Sequence, residues 1–192
     1  MRTIPCDFGV GARVFAGAKL LVVQEARGPS QGKWGLPKGF VNEGESPEQA
    51  VLRELGEETN LEGEVVGLSG VRTTLKSGAP SVFLCYDVAV ENTQTTTDDD
   101  EISRIQWVNM EESSTLDWIS KTMRSLAVEG WTSRAHMTNQ FTDREPDTPY
   151  AFYTSLTPSE HRTGTLNSRE QEGVESEAKS DHDPEGKPDQ RG

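Results

Sequence analysis

Cysteine, histidine, aromatic residues and positive charge are all scarce in this chain, and each shortage removes a class of protein from consideration. Two cysteines, Cys6 and Cys85, are too few for a disulfide scaffold, and Cys85 lies in an apolar run where a free buried thiol is ordinary. The three histidines, His136, His161 and His182, fall late in the chain with no paired spacing, which argues against a zinc site. Lys and Arg number 19 against 32 Asp and Glu, for a net charge of −13. General nucleic-acid binding is therefore not expected, because polyanion affinity comes largely from basic side chains. No apolar run approaches membrane length and no charged-then-apolar leader opens the chain, so a cytoplasmic protein with no membrane partner is expected. Nothing in the residues fixes an oligomeric state.

Charge and apolar content divide the chain. Residues 1–142 carry 20 acids and 13 bases, and residues 143–192 carry 12 acids and 6 bases. The end of the chain has almost no large apolar side chains, so it cannot offset its ordering entropy and is expected to be disordered. The expected organisation is one domain over 1–130, followed by an extension and a largely disordered acidic tail over 131–192. Tyr150, Ala151, Phe152, Tyr153 and Leu156 form a small apolar island in that extension. It either docks on the domain or belongs to the tail; the second reading is preferred, so a chain ending near Phe141 is expected to keep its melting temperature and activity.

Within the domain, Gly9–Phe15 and Lys19–Glu25 read as strands, the second a continuous apolar run suited to a central position covered on both faces. Gly63–Leu68, Ser81–Val90 and Arg104–Val108 continue the sheet, with a turn over Lys76–Pro80. A helix is expected near Ser114–Ala127, where Leu116, Ile119, Met123 and Leu126 share a face. Trp34, Phe83, Tyr86 and Trp107 could stack on a nucleobase, but each is first a core candidate.

The densest chemistry lies between Gly39 and Leu61. Ser46-Pro47-Glu48-Gln49 is a helix start: Ser46 can accept from the Gln49 amide, Gln49 can reach back, and Pro47 suits the first turn. The predicted helix runs from Pro47 to Thr59. Steps of about 100° per residue bring Glu54, Glu57 and Glu58 onto one face, beside an apolar stripe of Val51, Leu52 and Leu55. Like charges three and four residues apart repel. Such a face is either simply solvated or compensated by a cation, and Mg²⁺ between carboxylates and substrate phosphates is the hard-cation solution. Asn60 can hold the left-handed turn at the helix end in place of glycine. Gly56 costs the helix about 1 kcal/mol against alanine.

Gly39, Glu45, Arg53, Glu54, Leu55, Glu57, Glu58 and Leu61 fall at the spacings of a Nudix box, and Asn60 stands where that box ends in glycine. The segment resembles the signature of hydrolases that cut nucleoside diphosphates linked to another moiety. The resemblance implies an α/β fold, a Nudix-like α/β/α sandwich with a mixed β-sheet. It implies Mg²⁺ or Mn²⁺ held by Glu54, Glu57, Glu58 and the carbonyl of Gly39. Glu54, Glu57 and Arg53 form the implied catalytic set, with Arg53 and Glu45 holding the helix carboxylates in place. Glu101, from the acidic run Asp98–Glu101, is a rival to Glu54 as base, unless that run is only solvated surface.

A small nucleotide substrate would be met by metal and by Arg27, Lys33, Lys38 or Arg72, of which Lys38 and Arg72 are taken as substrate-binding. ADP-ribose-like molecules rank first and dinucleoside polyphosphates second. The extended motif of NADH-cleaving relatives is absent from Val71–Phe83, and no coenzyme A signature is present. A non-catalytic, Nudix-like nucleotide sensor or interaction module is the alternative.

Overall fold

In the computed structural model the described residues are 4–76, 78–133, 136–139, 151 and 153–155. Tyr150, Phe152, Leu156, His161, His182 and the expected acidic tail lie outside them.

Strands β1 (Asp7–Ala16) and β2 (Lys19–Glu25) form a hairpin, followed by the short strands β3 (Trp34–Gly35) and β4 (Lys38–Phe40). Helix α1 (Pro47–Thr59) leads to the long hairpin β5 (Gly63–Lys76) and β6 (Ala79–Val90), then to β7 (Ile102–Val108). A short helix α2 (Met110–Ser114) and the longer α3 (Lys121–Thr132) follow, and the small ladder β8 (Thr138–Asn139) with β9 (Tyr153–Thr154) closes the described chain. The main sheet has seven strands in the order β3-β2-β1-β6-β5, with β4 paired to β1 and β7 to β2. It is mixed, because β1 and β6 run parallel while the other pairs are antiparallel.

Alternation along the strands sorts the core into two layers. Val10, Ala12 and Val14 of β1 pack with Ala50, Val51 and Leu55 of α1, while Leu20 and Val22 of β2 pack with Met123 and Ala127 of α3. A helix covers each face, the expected α/β/α arrangement, and β2 is apolar throughout because both of its faces are covered.

Helix α1 has the predicted limits. Ser46 accepts from the Gln49 amide, the Gln49 side chain accepts from the Ser46 amide, and Asn60 closes the helix in the left-handed conformation at φ 56°. Elsewhere the expectations shift. Ser69–Leu75, not read as strand, extends β5 through two irregularities, between Val65 and Gly67 and between Leu68 and Gly70. The helix expected over 114–127 begins only at Lys121, where Ser120 caps it by accepting from Met123. The reason is tertiary. Asp117 and Ile119 hydrogen-bond across to the backbone of Trp34, which holds the preceding residues extended although Leu116 and Ile119 keep helical spacing.

Folded structure also passes residue 130. The Met137 and Leu68 backbones bond reciprocally, and Tyr153 packs on Tyr86 with ring centroids 5.9 Å apart. Tyr153 also donates to Glu48 Oε1 at 2.9 Å. Tyr153 of the apolar island thus docks on the domain, against the preferred reading as tail. Tyrosine is long enough to bury its ring against the core while its hydroxyl finds a carboxylate. Among the described residues no helix is long and apolar enough to cross a membrane.

Candidate active site

Helix α1 presents its acids to strand β4. Arg53 is the hub: its guanidinium donates to Glu45 Oε1 at 2.7 Å and Oε2 at 3.1 Å, to Glu54 at 2.8 Å, to Glu57 at 2.9 Å and to the Phe40 carbonyl at 2.9 Å. One planar cation with five donors satisfies three carboxylates and ties the helix to the loop before it. These contacts raise the Arg53 pKa, the Glu45 hydrogen bond most of all. Glu45 is lowered, first by the same bond, and also accepts from the Asn42 amide at 2.6 Å.

The remaining three acids differ in environment. Glu54 is half-buried and desolvation raises its pKa against the pull of Arg53. Glu58 is only 3% exposed, accepts from the Lys38 amide at 3.0 Å, and is pushed up to about 8 by burial. Glu57 stays exposed at the surface end of the face.

Gly39 is required by contact. A Cβ built on it would fall on the Glu54 carboxylate, so the missing side chain lets that carboxylate lie against the β4 backbone. Hydrogen bonds from Ala12 to the Pro37 carbonyl (2.8 Å) and from Val41 to the Phe8 carbonyl (2.9 Å) bracket the Val10–Gly39 pair. Ladder alternation then turns the Gly39 carbonyl toward β1, with its second lone pair left for another ligand.

These groups open onto a cleft of 840 Å³ whose walls include Lys38, Gly39, Glu54, Arg72 and Glu101. Five of the predicted site residues therefore share one cavity, although they come from β4, α1, β5 and the loop before β7. Arg72 lies 5.8 Å above the Phe83 ring. Lys38 is not free to meet a phosphate as it stands, because its ammonium is paired with Glu25 at 2.5 Å. Glu101 is paired with Arg27 at 2.8 Å. Glu57 and Glu58 are absent from the cleft wall, one turned to Arg53 and the other buried behind the Lys38 amide. The sequence profile described as NUDIX domain matches residues 7–127, the span that holds every one of these groups.

The chain belongs to the NUDIX domain family. "Nudix hydrolase 2" of Arabidopsis thaliana is 35% identical over 109 residues, covering 54% of this chain and 39% of that protein. The "ADP-ribose pyrophosphatase" of Methanocaldococcus jannaschii is 45% identical over 53 residues, covering 28% of this chain and 31% of its own. This chain thus spans less than half the length of either relative. A crystal structure of a NUDIX hydrolase from Nitrosomonas europaea superposes with TM-score 0.61 at 21% identity over 70% of this chain and 74% of that one, a likeness of fold.

Glu25 also lines this cleft, and sequence reading missed it. Its only signal is position: an acid at the end of a buried apolar strand, followed in space by the lysine of the loop. The donor set suits a hard divalent cation, since Glu54, Glu57, Glu58, Glu25 and the Gly39 carbonyl offer oxygen alone. Among the described residues no three acid, cysteine or imidazole side chains converge on one point. Instead Glu57 is turned to Arg53 and Glu58 to the Lys38 amide.

Proposed function

We propose that this NUDIX domain hydrolyses a phosphoanhydride in a nucleoside diphosphate linked to another moiety, with Mg²⁺ or Mn²⁺ as the metal. The cleft carries the reading: a desolvated Glu54 against a glycine backbone, with Arg72 and Lys38 in the same walls. Bound metal neutralises the diphosphate and acidifies water. The residues that would hold it are Glu54, Glu57, Glu58 and the Gly39 carbonyl. Held against the β4 backbone at the cleft wall, Glu54 orients the attacking water and takes its proton. Glu101, exposed and paired with Arg27, is the weaker base. Arg53 keeps Glu54 and Glu57 in place, and Arg72 meets the substrate phosphates.

ADP-ribose or another ADP-linked molecule ranks first and dinucleoside polyphosphates second. Likeness to the Methanocaldococcus enzyme supports the first and Lys38 the second. Catalytic efficiency on ADP-ribose, diadenosine tetraphosphate, NADH and nucleoside triphosphates tests the order, and a clear preference for NADH or a single triphosphate overturns it. Glu57→Gln and Glu58→Gln should each lower kcat by about two orders of magnitude or more with the fold intact, and chelator should abolish turnover. Undiminished activity in either variant, or in excess chelator, sinks that assignment.

A further inference from the structure

We infer that Phe40 is the platform on which the substrate's nucleobase stacks, an assignment that rests on the hydrolase reading and extends it to the base. The strand registers put Phe40, Gly9, Phe83 and Arg72 in one row across β4, β1, β6 and β5, all on the α3 face of the sheet. An aromatic residue opposite a cross-strand glycine ordinarily folds its ring over it. Here the place is taken. A Cβ built on Gly9 would meet Phe83 Cδ2 at 2.9 Å, and one on Gly11 would meet Phe83 Cζ at 2.7 Å, so the Phe83 ring already lies on both glycines.

Phe83 is only 9% exposed, whereas Phe40 is left 59% exposed at the cleft wall. Its backbone cannot move away, because its carbonyl accepts from Arg53 and its strand neighbour Gly39 is pressed against Glu54. The result is a fixed aromatic face in the wall of the cleft that Glu54 also lines, on the opposite side of β4 from the Gly39–Glu54 contact. A flat base covers that ring, while the hydroxyls of Thr74 and Ser81 in the same cleft offer polar partners to the rest of the nucleoside.

Calorimetry with AMP, GMP, CMP, UMP and ribose 5-phosphate, each with Mg²⁺, tests the assignment without turnover. Wild type should bind at least one nucleotide more tightly than ribose 5-phosphate. Phe40→Ala and Phe40→Leu should weaken that nucleotide about tenfold and leave ribose 5-phosphate unchanged, and Phe40→Trp should preserve nucleotide affinity. No preference for any nucleotide over ribose 5-phosphate, or Phe40→Ala with unaltered nucleotide affinity, overturns the assignment. Phe40-dependent nucleotide binding without any phosphoanhydride hydrolysis would remove the hydrolase reading and keep the platform.

Discussion

Glu58 shows how one buried carboxylate sets a pH dependence. Its pKa of about 8 in the folded chain compares with about 4.3 for an open glutamate. Between those values the native state holds a proton that the unfolded chain has released, so stability is greatest at the acid end and is lost as pH rises through the window. The ion-free protein should therefore melt at falling temperature from about pH 5 to about pH 8. Glu58→Gln keeps an oxygen for the Lys38 amide and cannot ionise, so it should flatten most of that decline and leave the ion-free protein with a higher melting temperature than wild type at about pH 8. Melts in chelator across the window check this; parallel profiles for wild type and variant would show that Glu58 does not carry the slope. On the proposed metal reading, added Mg²⁺ at the alkaline end should raise the wild-type melting temperature, since an ion held by ionised carboxylates would stabilise only the folded chain.

At the scale of elements, α1 was legible because its signals are local. The capping box, the left-handed Asn60 and the acid face all lie within the helix and its ends. Gly56 belongs to the same scale. A Cβ there would meet only the Leu61 carbonyl at 3.8 Å, an ordinary contact, so nothing approaches the backbone closely. Gly56→Ala should stabilise the domain by about 0.5–1 kcal/mol, read as a higher denaturation midpoint at unchanged slope. A loss of stability would mean that the glycine serves an approach this structure does not contain. By contrast α3 starts later than its apolar spacing suggests, because Leu116 and Ile119 satisfy a helical period while the backbones of Asp117 and Ile119 are committed to Trp34.

For the whole molecule, the segment after α3 contributes to stability. The Tyr153 ring packs on Tyr86 tilted by 59°, and both hydroxyls donate to Glu48, at 2.9 and 3.3 Å. Burial raises both tyrosine pKa values, and neighbouring Glu48 adds to the shift. Aromatic pairing and a hydrogen bond to a carboxylate together are worth about 2 kcal/mol. Tyr153→Ala and a chain ending at Phe141 should each lower the melting temperature by roughly 4–8 °C. An unchanged midpoint in both would show that the contact adds nothing. The α1 start and stop, the acid face and the two-sided burial of β2 were readable from the amino-acid sequence, because periodicity and capping act within a few residues; that Glu54 lies against Gly39 came only with the fold. Only the tertiary structure decided that Arg13, 2% exposed, is held by Asp87 at 2.6 Å and by the Leu126 carbonyl at 3.2 Å. It alone paired Lys38 with Glu25, set Phe83 over the β1 glycines and left Phe40 bare. Those contacts join residues far apart in the chain, and strand register, which no local pattern encodes, is what brings them together.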